Sequence, residues 1–285
     1  MLGFIGFGEA AYHITKGLRA AGLTPIAAYD CNAQTDERIR SRAEQTGTHL
    51  FDSNAALADS AEIILSAVTA NQAEAAAMQT APHLTTHHLY ADINSVSPGT
   101  KQRIAAIISS TGTRFVEIAV MESIPPHLHK TPMLAGGPHA AELKTIFEPY
   151  GMSIEVVSNE IGAAAATKMF RSIMVKGLEA LITECVLGAS RYGADERVFA
   201  SLAKTFPGID WPHLADYMIG RVVVHGERRA REMEEVAVTL REAGVDPFLA
   251  EAIVRRMDWS AQLGLKRHFH GEAPKHYEQF LAAVS

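Results

Sequence analysis

Short apolar runs alternate with amphipathic stretches over the first half of the chain, and the short runs then stop. Segments of strand length are Leu2–Gly6, Pro25–Tyr29, Glu62–Val68, His88–Asp92, Arg114–Val120 and Pro132–Ala135. Helical periodicity fills Glu9–Ala21, Asp36–Thr46, Gln72–Ala81, Pro98–Ser110 and Ala140–Tyr150. Strands separated by helices of about 10–15 residues predict βαβ units and a mostly parallel sheet. Beyond Asn159 helical patterns dominate, near 160–190, 194–204, 211–243 and 247–264. The expected architecture is a doubly wound α/β domain over residues 1–158, followed by an all-α domain over 159–285. No Pro/Gly-rich linker parts them, so a long connecting helix and a broad interface are expected.

The first predicted strand runs into Gly6-Phe7-Gly8-Glu9-Ala10-Ala11, a G-x-G-x-x-A loop that opens a helix. The first glycine permits the tight turn, the second lets backbone approach a pyrophosphate, and the small third residue allows helix–strand packing. The helix N-terminus then offers N–H groups to the anion. An acid about 20 residues on completes the Rossmann dinucleotide fingerprint, and Asp30 closes the second strand. A carboxylate there accepts from ribose hydroxyls and repels a 2′-phosphate. No arginine or lysine follows before Arg38, so NAD is expected over NADP. Val68 and Thr69, at the end of the third strand, belong to the same expected set.

Lys168 to Leu181 reads KMFRSIMVKGLEAL, an apolar helix carrying charges. At about 100° per residue, Lys168, Ser172, Lys176 and Glu179 fall within about 80° of one another. They form one narrow polar stripe on a helix that is otherwise apolar. A solvated stripe is the plain reading. Its position just after a nucleotide-binding domain favours a substrate cleft, with the stripe turned to the nicotinamide. A lysine there binds an anion or serves as general acid or base.

These residues resemble the β-hydroxyacid dehydrogenases, which include 3-hydroxyisobutyrate and 6-phosphogluconate dehydrogenases. That family's interdomain helix carries G-x-G-x-x-x-K-x-x-x-N. The matching run here is Gly162 to Ser172, with Ala164 for the second glycine and Ser172 for the asparagine. The resemblance implies that Lys168 is the catalytic lysine. The substrate motif D-x-S-T-x-x-P resembles Asp92-Ile93-Asn94-Ser95-Val96-Ser97-Pro98. The glycine-rich D-A-P-V-S-G-G loop is altered to Glu117-Ile118-Ala119-Val120-Met121-Glu122-Ser123. Asn94, Ser95, Glu122, Ser123, Ser172 and Lys176 are therefore the expected substrate-binding residues. Glu122 and Ser123 in place of the two glycines imply a changed carboxylate site, and Ser172 and Lys176 in place of the asparagine-centred site imply a different substrate from that of the well-known members. The C-terminal part is similar to a divergent, phosphogluconate-dehydrogenase-like branch.

Composition narrows the picture further. The chain is 47% hydrophobic and 20% charged, a globular profile, and its net charge of −6 offers no nucleic-acid footprint. RVVVHGERRAR is locally basic but runs into EMEE, so it reads as a charged helix face. No apolar run is long enough to span a membrane, and MLGFIGFGEA lacks the basic lead of a secretory signal. Cys31 and Cys185 stand far apart, which fits a reducing cytoplasm. Paired histidines lack an acid or cysteine at ligand spacing, so no metal site is expected.

The implied activity is hydride transfer between NAD and a β-hydroxy acid or its keto acid, with decarboxylation of the product left open. Two alternatives stay open: an imine or other carbonyl reductase on the same architecture, and a nucleotide-binding sensor without turnover. A homodimer through the helical half is expected.

Overall fold

The computed structural model describes residues 1–284. It divides into two compact units, Met1–Lys168 and Met169 to the end of the chain. The junction expected at 158/159 thus lies ahead of the observed division, which falls inside a helix starting at Ala163.

The first unit contains β1 (Leu2–Ile5), α1 (Glu9–Ala20), β2 (Ile26–Tyr29), α2 (Glu37–Thr46), β3 (His49–Phe51) and α3 (Asn54–Ser60). It continues through β4 (Ile63–Ser66), α4 (Ala73–Thr80), β5 (Leu89–Asp92), α5 (Pro98–Ser109) and β6 (Arg114–Val120). Then come α6 (Ile124–His127), β7 (Met133–Gly136), α7 (Ala140–Phe147), β8 (Ile154–Ser158) and the start of α8 (Ala163–Ser190). The eight strands form one sheet in the order β3-β2-β1-β4-β5-β6-β7-β8. The order reverses beside β1, so the chain winds outward in both directions.

Every pairing is parallel except β6 with β7, which is antiparallel. A parallel return needs a long crossover. Between β6 and β7 the chain holds only the short, proline-bearing α6 and a single 3₁₀ turn, so β7 comes back beside its neighbour. Alternate side chains leave β1 on opposite faces. Phe4 joins a core with Ile14, Leu18, Val116 and Phe147, while Ile5 joins one with Ile64, Tyr90, Ile104 and Phe115. Polar side chains set the helix starts: Ser53 Oγ accepts from Ala56 N and Ser97 Oγ from Thr100 N.

Two strands and two helices of this unit escape the sequence pattern, α6 being a single proline-bearing turn. β3 has three residues, and β8 is a sheet-edge strand whose alternate residues are exposed. α3 has seven residues, too few to show a period.

The second unit holds the rest of α8 with α9 (Asp195–Thr205), α10 (Trp211–Glu242), α11 (Phe248–Gln262), α12 (Leu265–His268) and α13 (Tyr277–Val284). Its described residues contain helices and connecting turns but no strand. α10 packs on α11 through Met233, Val236, Ile253 and Met257, and on α13 through Ile219, Val223 and Phe280. Gly226 lets α10 approach closely, because a Cβ there would lie 3.0 Å from the Met257 carbonyl oxygen.

One ion pair sits wholly inside the first unit. Lys101 of α5 is 1% exposed and Asp92 of β5 is 0% exposed, and the two form a salt bridge. Removing one partner of a buried pair leaves the other charge unmatched, at a cost of about 3–5 kcal/mol. Lys101→Met is therefore expected to lose about that much stability in urea unfolding. A loss below about 1 kcal/mol would show that the pair contributes no more than an exposed one.

Candidate active site

The glycine loop forms at the end of β1. Gly6 has φ +84°, and a Cβ there would stand 2.5 Å from the Ala67 carbonyl oxygen. Only glycine fits both constraints. Gly6 N donates to Tyr29 O at 2.8 Å. Phe7 is buried, and its N–H donates to Asp30 Oδ2 at 2.8 Å. Asn32 N donates to the other Asp30 oxygen at 2.9 Å. Asp30 therefore ties the loop to the end of β2.

Gly8 caps α1 without a side-chain hydrogen bond, and nothing lies within 4 Å of where its Cβ would be. No side chain thus caps the first turn, and the approach to Gly8 is clear. A dinucleotide's pyrophosphate fits this arrangement. Glu9 is exposed and Ala10 half-buried, while Ala11 is fully buried where α1 packs on the sheet.

Asn94 adjoins this loop. Val68 N donates to Asn94 Oδ1 at 2.7 Å, and Asn94 Nδ2 donates to Asp92 Oδ2 at 2.7 Å and Ser66 Oγ at 3.0 Å. Its side chain is 4% exposed and spent on internal bonds that join β4 to β5. Ser95 beside it is half-buried. Thr69 is exposed, and its hydroxyl donates to Asn71 Oδ1 at 2.7 Å. The structure thus gathers the glycine loop, Asp30, Val68 and Asn94 at the carboxyl ends of β1, β2, β4 and β5. Glu122 and Ser123 stand exposed on the turn after β6, where Glu122 lies 3.2 Å from His127 Nε2.

Two buried charges of this unit hold roles that no motif or periodicity marks. Lys101 donates to Asp92 O at 2.7 Å and Ile118 O at 3.2 Å besides its carboxylate partner. Glu117 of β6 is 0% exposed, and its Oε1 accepts from Gly162 N at 2.7 Å and Ala164 N at 2.9 Å, at the start of α8. An acid inside the apolar strand RFVEIAV was the available signal. Lys168 follows Ala164 by one helical turn and is half-buried.

In the second unit the polar stripe of α8 meets a polar stripe of α10. Arg221, His225, Arg228, Arg229 and Glu232 lie within about 100° around α10. Glu179 is 0% exposed and accepts from Arg221 Nε at 2.9 Å and Arg229 Nη1 at 2.7 Å. Lys176 Nζ lies 3.0 Å from Glu232 Oε2 and donates to Ser172 Oγ at 3.1 Å. Burial pulls the Lys176 ammonium below its ordinary value, against the pull of Glu232. Burial likewise lifts the Glu179 carboxyl, while the two arginines work the other way.

A family model described as the NAD binding domain of 6-phosphogluconate dehydrogenase matches residues 1–159. The chain belongs to the β-hydroxyacid dehydrogenase-like family. A second family model, a domain of unknown function, matches residues 189–260. A conserved hypothetical protein from Sinorhizobium meliloti is 36% identical, with a TM-score of 0.84 over 99% of this chain and 95% of its own. A conserved protein of unknown function, described as structurally similar to 3-hydroxyacid dehydrogenases, is 31% identical. It aligns over 95% of this chain and 99% of its own, with a TM-score of 0.76. A Mycobacterium tuberculosis 3-hydroxyisobutyrate dehydrogenase shares the fold at 15% identity, TM-score 0.74, over 91% of this chain and 93% of its own. So does a Myxococcus stipitatus imine reductase at 15% identity, TM-score 0.62, over 100% of this chain and 99% of its own. The first unit of this family member is thus a nicotinamide-cofactor-binding domain.

Two outcomes are expected. Asp30→Ala should weaken NADH binding by about 1.5–3 kcal/mol, the worth of a hydrogen bond to a charged group, while leaving NADPH binding level or tighter. Fluorescence titration measures both, and tighter NADPH binding by the unmodified protein would overturn the expected preference for NAD. The second concerns pH. Because the folded Lys176 titrates below its ordinary 10.5, the unfolded chain binds more protons in the window just under that value. Stability from this group therefore rises with pH there. Wild type should gain on Lys176→Met as pH climbs through that window in denaturant titrations, and a falling difference would contradict the sign.

Proposed function

We propose that this protein is an NAD-dependent dehydrogenase that oxidises a β-hydroxy acid or reduces the matching keto acid. The observation that carries the reading is a dinucleotide loop, braced by Asp30, in the same compact unit as the capped start of α8, which runs to Lys168. The bound nicotinamide supplies the carbon that accepts or returns hydride.

In the oxidative direction, the Lys168 amine takes the hydroxyl proton at Nζ as that hydride leaves the substrate carbon. For this it must enter the step as the neutral amine. Ser95 supplies a hydroxyl that orients polar groups of the substrate. Asn94 holds the floor of the site through its bonds to Asp92, Ser66 and Val68. Glu122 and Ser123, in place of paired glycines, set which acid is accepted. Asp30 accepts from the adenosine ribose and favours NAD.

A second reading, reduction of an imine on the same architecture, has one specific support: the fold shared with an imine reductase. It is separated by substrate.

The test is a panel of β-hydroxy acids and cyclic imines with NAD and NADP in both redox states, read by absorbance of the reduced nicotinamide. Oxidation of a hydroxy acid with NAD is expected, and Lys168→Ala should cut turnover by about 10²–10⁴-fold with NADH affinity nearly unchanged. Turnover of cyclic imines alone, with NADPH, would establish the second reading. Cofactor binding with no turnover on any member would point to a sensor.

A further inference from the structure

Glu117 is a carboxylate with no exposed surface, placed in the middle of an otherwise apolar strand. Such a group is expensive to bury, so its surroundings should show what it is for. One oxygen receives two backbone N–H groups, from Gly162 at 2.7 Å and from Ala164 at 2.9 Å. These belong to the opening turn of α8, whose first N–H groups have no partner inside the helix. The helix dipole there also favours a negative charge.

The backbone around the carboxylate makes room for it. Gly136 pairs with Glu117 across the antiparallel ladder, and a Cβ on Gly136 would stand 2.5 Å from Glu117 Oε1. Gly162 turns into the helix at φ +108°. Ala164 is completely buried and packs on Ala119 and Leu134. Its N–H is thus held by Glu117 and its methyl by the sheet. Lys168 sits on α8 one turn further along the same side.

We propose that Glu117 is a positioning residue, whose carboxylate caps α8 and thereby fixes where the helix presents the Lys168 amine. This rests on the reading of Lys168 as the proton-accepting group. The cap is a lateral one: the acid comes from β6, distant in sequence, rather than from the residue before the helix. It fastens the helix to the sheet as well as satisfying it. Burial lifts the Glu117 carboxyl above its ordinary value, while the N–H groups at the start of α8 and the Lys101 ammonium work the other way.

The experiment compares Glu117→Ala, Glu117→Gln and Lys168→Ala in the full-length protein. Turnover is measured on the best hydroxy acid of the panel, and normalised to the NADH sites found by titration. A second readout needs no turnover. Lysines are reductively methylated with ¹³C-formaldehyde, and the Lys168 methyl resonance is assigned by its loss in Lys168→Ala.

Glu117→Ala should lower kcat by about 10–100-fold, the scale of an ångström-sized misplacement. KM and NADH affinity should hardly move, and the Lys168 resonance should shift. Glu117→Gln keeps an acceptor oxygen of the same reach, so both quantities should return toward wild type. If Glu117→Ala does not fold, Gly136→Ala replaces it, since its methyl presses on the same oxygen without deleting the acid.

A folded variant with wild-type kcat and an unmoved Lys168 resonance overturns the proposal. So does a Glu117→Gln variant as impaired as Glu117→Ala. Full turnover in Lys168→Ala would instead remove the catalytic reading, and the positioning role with it. Loss of turnover in Lys168→Ala alone leaves the catalytic reading standing and rejects only the role of Glu117.

Discussion

The buried ammonium of Lys101 is the point on which the site end of the sheet depends. An ammonium taken out of water needs its three donors answered. The Asp92 carboxylate, Asp92 O and Ile118 O answer them. Those acceptors belong to β5 and β6, so α5 is pinned across two strands at once. The second Asp92 oxygen holds Asn94, and Asn94 reaches Val68 N at the end of β4. One satisfied cation thus sets the spacing of three strand ends around which the glycine loop, Asp30 and the loop after β4 assemble. A partly satisfied network here would be worse than an apolar core.

The sheet and helices of the first unit were largely legible in the sequence because their apolar runs are long, central and bounded by helical stretches. What failed to show was what lies at an edge or is short. The β8 strand carries Glu155 and Ser158 among its valines, and half its residues meet solvent. The three residues of β3 are too few for alternation to register. The antiparallel return of β7 was visible only as the lack of a crossover helix after β6. Among site residues, the glycine loop and Asp30 were readable because backbone geometry demands glycine and because the acid falls at a fixed spacing. Asn94 was found for its motif, yet its role in holding strand ends together depends on Ser66 and Val68, which sequence spacing does not bring to it. Glu117 and Lys101 were passed over because a single charge in an apolar element has no periodicity. Their partners lie 45 and 9 residues away.

The stripe of charge on α8 was legible as a stripe, but its surroundings were not. In the second unit, Glu179 and Lys176 turn out to be answered by Arg229, Arg221 and Glu232 from α10. Sequence shows two amphipathic helices, and only packing shows that their polar sides meet. Apolar neighbours such as Met169, Val222 and Met233 close around this seam.

That seam makes the alignment of α8 with α10 all-or-none. Apolar ridges tolerate small slides, because one methyl group contacts another much as well as the next. A fully buried carboxylate gripped by two guanidinium groups does not. Displacing α10 by a single turn, about 5.4 Å, would break both of the bonds by which Arg221 and Arg229 now hold Glu179. The helical unit therefore has few intermediate arrangements available to it: its two long helices keep their register or lose the buried pair outright.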